Sequence, residues 1–148
     1  MDRNKIEQNH TVYYYNVDQF HNLTMSSLVN YYTEIALAHT IKAGISFKYL
    51  NERNLYWVLY KMRIKVSRYP KLYEKIRIGT EGYNLIKFNA YRKYRMIDES
   101  GIVISEAEGI FMLLDSVKMR PAKMPDEMYD GYGVARGNNS RLEIDSLK

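Results

Sequence analysis

The chain has 148 residues, 22 Lys and Arg against 17 Asp and Glu, and a net charge of +5, which fits one domain with one sizeable core and a mildly basic surface. It has no cysteine, which excludes disulfides, thiolate metal sites and a cysteine nucleophile and fits a reducing cytoplasm; its three histidines, His10, His21 and His39, show no metal-ligand spacing. No apolar run approaches the roughly 20 residues of a membrane span, and residues 1–10 are polar, which reads against a secretory signal.

Residues 11–17, TVYYYNV, are aromatic and β-branched and predict a strand. Thr24 then stands as N-cap to a helical run over residues 25–43, and Gly44 as its stop. At about 100° per residue, Leu28, Tyr32, Ile35, His39 and Lys42 fall on one side and Asn30, Glu34, Leu37, Ala38 and Ile41 roughly opposite. Apolar groups on both sides predict a helix covered around much of its circumference. Residues 45–54 read as a loop or short helix.

From there the period becomes two. Val58, Tyr60, Met62, Ile64 and Val66 predict one face of a long strand, with Lys61, Arg63 and Lys65 on the other and Pro70 closing it. Residues 74–81 alternate again, and residues 85–97 predict a third long strand. Residues 98–101, Asp first and Gly fourth, predict a hairpin turn, and residues 102–117 a fourth long strand with Gly109 as a bulge or bend. Strands of about 13 residues would span roughly 40 Å, so the sheet must curl. The helix is the one element long enough to fill its concave face. The predicted class is α+β, with a single domain over residues 1–125 and residues 126–148 as a C-terminal tail or linker.

Nucleotide-binding glycine loops, the GxSxG elbow and the HExxH zinc motif are all absent. The order strand, long helix, meander of long strands is the hotdog order. The run Leu55-Tyr56-Trp57-Val58-Leu59 is followed by Ile64, Val66 and Arg68-Tyr69-Pro70, then by Ile78, Thr80 and Arg92 ahead of Asp98 and Gly101. Leu114-Asp115 and Arg120-Pro121 come later, and Asn30, Tyr31, Glu34, His39 and Gly44 mark the helix. Over residues 11–125 this pattern resembles the N-terminal repeat of the acyl-[acyl-carrier-protein] thioesterases. It departs at Glu81 and Phe111, where that family usually has Trp.

The resemblance implies a single hotdog domain and hydrolysis, without cofactor or metal, of the thioester that joins a fatty acyl chain to the phosphopantetheine arm of acyl carrier protein in fatty acid biosynthesis. That chemistry needs a carboxylate to activate water or attack the carbonyl, and donors for the oxyanion. Family members usually carry two repeats, with catalytic Asp, Asn and His in the second. Carried onto this helix by matching its tyrosine to Tyr31, those positions fall on His21, Leu23 and Met25. A non-catalytic acyl-binding or specificity module is therefore the alternative.

Glu34 and Asn30 are four residues apart and share a helix face, a carboxylate beside an amide, and are the catalytic candidates; a structural role for Glu34 is the other reading. Glu34 and His39 stand about 140° apart and cannot pair. Met25 and Trp57, with Tyr31 and His39, are candidates to line the acyl site, against ordinary core filling. Lys61, Arg63 and Arg68 with Lys65, and Arg92 with Lys93 and Arg95, form cationic stripes that could meet the acidic carrier or remain a solvated sheet face. The expected partners are acyl carrier protein and a second hotdog, as a homodimer or a further repeat. Nucleic acid is not expected, because the aromatics alternate as a buried sheet requires, and a membrane is not expected, because no apolar run is long enough to span one.

Overall fold

The computed structural model describes residues 3–146. Helix α1 (Met25–Lys42) begins where Thr24 Oγ1 accepts the Ser27 N–H at 3.1 Å. It stops at Gly44, whose φ of +87° a side chain would oppose. Its buried stripe, Leu28, Tyr31, Tyr32, Ile35, Ala36 and His39, recurs every three or four residues. Met25, Asn30, Glu34 and Ile41 are exposed, so the expectation of cover around most of the helix fails for one chain: a single sheet covers a single side.

That sheet contains β1 (Lys5–Thr11), β2 (Leu55–Val66), β3 (Lys75–Ile86), β4 (Asn89–Asp98) and β5 (Val103–Asp115), with β6 (Arg120–Pro121) paired to β5. The order is β1-β3-β4-β5-β2 and every pairing is antiparallel, so β1 and β2 are the edges. The sheet curls around α1 and closes on Tyr32 and Ile35 with Ile76, Ile78, Tyr94, Met96, Ile104 and Ala107. This is the hotdog fold. Helix α2 (Phe47–Glu52) occupies the segment read as loop or short helix. The turn at 98–101 forms as expected, with Asp98 Oδ1 accepting the N–H of Ser100 and Ile102 at 2.9 and 3.0 Å.

The first strand runs over Lys5–Thr11 and not 11–17. Asn16 Oδ1 accepts the Tyr13 N–H at 3.1 Å and folds Tyr14–Asn16 into a 3₁₀ turn, a local bond that outcompetes a ladder. The long strand expected to begin at residue 85 is split, because β3 ends at Ile86, opposite Asn89, with Lys87 at φ +56°. No glycine marks that turn. In β2 a bulge between Leu59 and Lys61 switches the core-facing side. Leu55 and Trp57 face inward before it and Met62, Ile64 and Val66 after it, leaving Val58 and Tyr60 exposed. Gly109 is not a bulge: it pairs regularly with Met62 and Arg92, and a Cβ there would stand 3.4 Å from the Tyr94 ring.

The segment expected to be a tail is part of the fold. Helix α3 (Asp126–Tyr132) buries Met128 and Tyr132, four residues apart, against Ile45, Leu50, Leu85 and Leu113. Leu142 and Ile144 pack on Ile86, Tyr91 and Ile110. Residues 147–148 lie outside the described residues.

Candidate functional site

The side of α1 turned away from the sheet carries the two catalytic candidates. Asn30 and Glu34 are both exposed, and neither side chain takes part in a hydrogen bond or ion pair among the described residues. Edge strand β1 runs beside this flank and brings up a histidine that spacing alone did not reveal. His10 is half-buried, its ring centroid is 4.9 Å from that of Tyr31, and its Nε2 lies 3.3 Å from Gln8 Oε1. Burial holds His10 below the usual histidine range, and the Glu34 charge pulls the other way. Tyr31 donates its hydroxyl to Asn16 Oδ1 at 2.8 Å, and burial pushes its pKa up to about 12. His10, Tyr13, Tyr15, Asn16 and Tyr31 line a cleft of about 780 Å³ with Asp98, Glu99 and Gly101 on its wall; Asn30 and Glu34 are not part of its lining. Helix periodicity found Glu34 and Asn30, and the family resemblance marked Tyr31. His10 and Asn16 reach Tyr31 only through the path of β1 and the turn after it.

His39 lies on the opposite side of α1 and is saturated. Arg92 Nη1 reaches His39 Nδ1 at 2.9 Å and donates to Thr80 Oγ1 at 3.2 Å. A guanidinium only donates, so Nδ1 is the acceptor, and the neutral ring keeps its proton on Nε2. That nitrogen donates to the Arg3 carbonyl at 2.8 Å. Burial depresses the His39 pKa to about 4; the Arg3 carbonyl works against this, and the charges of Arg92 and Lys42 add to it. With both ring nitrogens committed inside the core, His39 is a structural histidine and not a substrate contact. Arg92 is only 6% exposed, so it cannot serve a docking surface for a carrier.

Met25 and Trp57 do not share a site. Met25 opens α1 and is exposed, whereas Trp57 packs on the cluster of Ile45, Leu50 and Leu113 that also receives Ala43, which lies about 27 Å along the helix from Met25 at 1.5 Å per residue. Trp57 Nε1 is buried without a hydrogen-bond partner, as is the Tyr94 hydroxyl.

Most of the arginines in the cationic stripes are held by neighbouring carboxylates. Arg63 meets Glu108 at 3.3 Å and Glu143 at 3.4 Å, Arg95 meets Glu7 at 2.7 Å, and Lys5 meets Glu81 at 3.8 Å. Arg68 is forked onto Glu74 and also reaches Asp98 at 3.1 Å. Lys61 lies over the Tyr60 ring at 5.3 Å. The convex face is a lattice of alternating charge across the strands, and not a positive field. Among the described residues no group of three or more His, Asp and Glu could hold a metal ion, and no helix is long and apolar enough to cross a membrane.

Residues 3–132 match the family described as the acyl-ACP thioesterase N-terminal domain. The chain belongs to this family. It is 25% identical over 128 residues to the chloroplastic palmitoyl-acyl carrier protein thioesterase of Cuphea hookeriana, which covers 82% of this chain and 31% of that protein. The chain thus spans about a third of the length of the curated relatives it matches. Among solved structures, an acyl-ACP thioesterase from Bacteroides thetaiotaomicron superposes with a TM-score of 0.82 at 24% identity, over 96% of this chain and 59% of that one. The 12:0-ACP thioesterase of Umbellularia californica gives 0.80 at 18% identity, over 97% and 58%. A Staphylococcus aureus protein described as hypothetical and solved in complex with CoA gives 0.84 at 12% identity, over 100% and 96%.

Within this acyl-ACP thioesterase domain, the positions onto which the second-repeat motif was carried hold no catalytic geometry. Leu23 is buried in the core, His21 sits exposed at φ +65°, and Met25 is exposed. Asp18, the nearest carboxylate, is used locally, with its Oδ1 accepting the N–H of Phe20 at 2.9 Å and of Asn22 at 3.1 Å.

Proposed function

We propose that this domain is the acyl-binding hotdog repeat of an acyl-[acyl-carrier-protein] thioesterase. It would hydrolyse fatty acyl thioesters, in fatty acid biosynthesis, when a second hotdog covers the outer flank of α1. The observation that carries this reading is the family match over residues 3–132. The uncovered flank supports the second hotdog, and so does the β2 edge, which exposes Tyr56, Val58, Leu59 and Tyr60. That second hotdog is another copy of this chain or a further repeat. The cytoplasmic location belongs to the same proposal and rests on the cysteine-free composition; the curated relatives are named chloroplastic.

In this reading Glu34 is the general base. Its carboxylate takes a proton from water as the water oxygen bonds to the thioester carbonyl carbon, the C–S bond breaks, and the proton passes to the leaving thiolate. Asn30, one turn away, positions the water or the carbonyl oxygen. Purified chain assayed for thiol release from acyl-carrier-protein thioesters should turn over, and Glu34→Ala should reduce turnover by about 10² or more.

A second reading is favoured by one observation: His21, Leu23 and Met25 stand where the family's catalytic repeat has Asp, Asn and His. On that reading the domain binds and selects the acyl chain without cleaving it. Acyl binding with no thiol release would decide for it.

A further inference from the structure

The chain carries five more cations than anions, and on the convex sheet face Lys5, Arg63 and Arg95 are ion-paired, while Lys65 and Lys93 stand opposite Glu106 and Glu108 in register. The excess surfaces elsewhere. After β5 the chain turns at residues 115–120, and Asp115 Oδ1 accepts the N–H of Val117 and Lys118, both at 2.9 Å. The turn holds Met119 at φ +52° and leaves Val117 and Met119 69% and 76% exposed. Lys118 and Arg120 flank Met119, and Lys123 follows three residues on. The chain then passes the β3–β4 hairpin tip, where the Met124 N–H bonds the Lys87 carbonyl at 3.0 Å and brings Lys87 beside Lys123.

None of Lys87, Lys118, Arg120 and Lys123 makes an ion pair among the described residues, and all four are exposed. The carboxylate within this strip is Asp115, and its Oδ1 is occupied by two backbone N–H groups. Those bonds, the Lys118 N–H foremost, hold its carboxyl below the usual range, and the charges of Lys118 and Arg120 add to this. The result is two cations beside one carboxylate and two uncovered apolar side chains on a turn braced by its own hydrogen bonds, with Lys123 and Lys87 further along the same segment.

We propose that this strip, Val117–Lys118–Met119–Arg120 with Lys87 and Lys123, is the docking surface for an acidic acyl carrier protein. The four cations meet the carrier's carboxylates, and Val117 and Met119 fill the apolar gaps between them. The chemistry fits a protein surface of mixed character: charge supplies encounter rate and register, and the exposed apolar side chains supply area to bury. The partner's identity rests on the function proposed above; the placement of the surface rests on the charge distribution.

The test is a binding titration of the full chain with a holo acyl carrier protein at low and at physiological salt, run beside a titration with an acyl-pantetheine that lacks the protein. Paired neutralisations are matched in charge: Lys118→Gln with Arg120→Gln on the strip, and Lys65→Gln with Lys93→Gln on the convex face. The strip pair should weaken carrier binding by about tenfold at low salt and flatten its salt dependence, with acyl-pantetheine binding unchanged. The convex pair should change binding by less than about twofold. Equal weakening by the two pairs, or none by the strip pair, overturns the proposal. So does binding of the strip to vesicles containing anionic lipid in preference to the carrier. If acyl-pantetheine binds and the carrier does not, the docking surface fails and the acyl-binding reading stands. If neither binds, the acyl-binding reading fails with it.

Discussion

The two long sides of α1 are similar in composition and opposite in fate. Toward the sheet stand Leu28, Tyr32, Ile35 and His39, all buried. Away from it stand Asn30, Glu34, Leu37, Ala38 and Ile41, of which none is fully buried. Hydrophobicity does not distinguish Ile35 from Ile41; what distinguishes them is that the curled sheet has one concave face. The difference separates the part of the helix that makes the domain fold from the part that remains available for chemistry and assembly.

The largest effect expected is at Ile35, which is fully buried against the sheet. Ile35→Ala should cost about 2–5 kcal/mol in urea unfolding, through lost transfer energy plus a cavity. The same change at Ile41, which is 51% exposed, should cost under about 1 kcal/mol at low protein concentration. Near-equal costs at the two sites would break the comparison.

Next in size is a pH effect confined to the inner side. His39 has a folded pKa of about 4 against an ordinary 6.5, so between those values the unfolded chain takes up a proton that the native chain refuses. Its contribution is therefore intact above about pH 6.5, declines as pH falls, and is lost below about pH 4. The window is worth about 3 kcal/mol at about 1.4 kcal/mol per pKa unit. Urea melts of wild type and His39→Gln at several pH values between 7 and 4 should converge as the wild type loses stability. Parallel profiles would show that His39 is not the group responsible.

Smaller again is the tie between the helix and the sheet. The Tyr32 hydroxyl donates to Ser105 Oγ at 2.8 Å, and Ser105 donates to the Lys65 carbonyl at 3.0 Å. Tyr32→Phe removes the first bond and leaves the second, so the expected cost is about 1 kcal/mol. A cost above about 3 kcal/mol would mean that the ring had moved as well.

How much of this was legible in sequence differs by element for physical reasons. The helix was readable almost to the residue because Thr24 and Gly44 act within one turn of its ends. The 98–101 turn was readable because Asp98 bonds its own following backbone. The β3–β4 turn was not, because Lys87 takes its positive φ with no glycine to announce it. The Tyr60 bulge was not, because one inserted residue reverses every face downstream while the alternation on each side stays intact. The site divides in the same way. Glu34 and Asn30 follow from helix period, but the committed state of His39 depends on Arg92 and Arg3, which are 53 and 36 residues away in sequence. The pairing of the cationic stripes was not legible because Glu81 and Glu108 lie opposite them in register and Glu7 reaches Arg95 across Gly79, which only strand pairing discloses.

The smallest effect on folding bears on the largest question about assembly. Leu37 and Ile41 are one turn apart on the outer side of α1, partly and largely exposed. Leu37→Ser with Ile41→Ser should leave the stability of the monomer within about 0.5 kcal/mol, since little apolar area is lost. If a second hotdog covers this side, the same pair should instead abolish concentration-dependent association in light scattering and lower the melting temperature only at concentrations where wild type associates. A loss of several kcal/mol independent of concentration would mean that this side is already core. Association unchanged by the pair would move the second hotdog off α1 and onto the β2 edge alone.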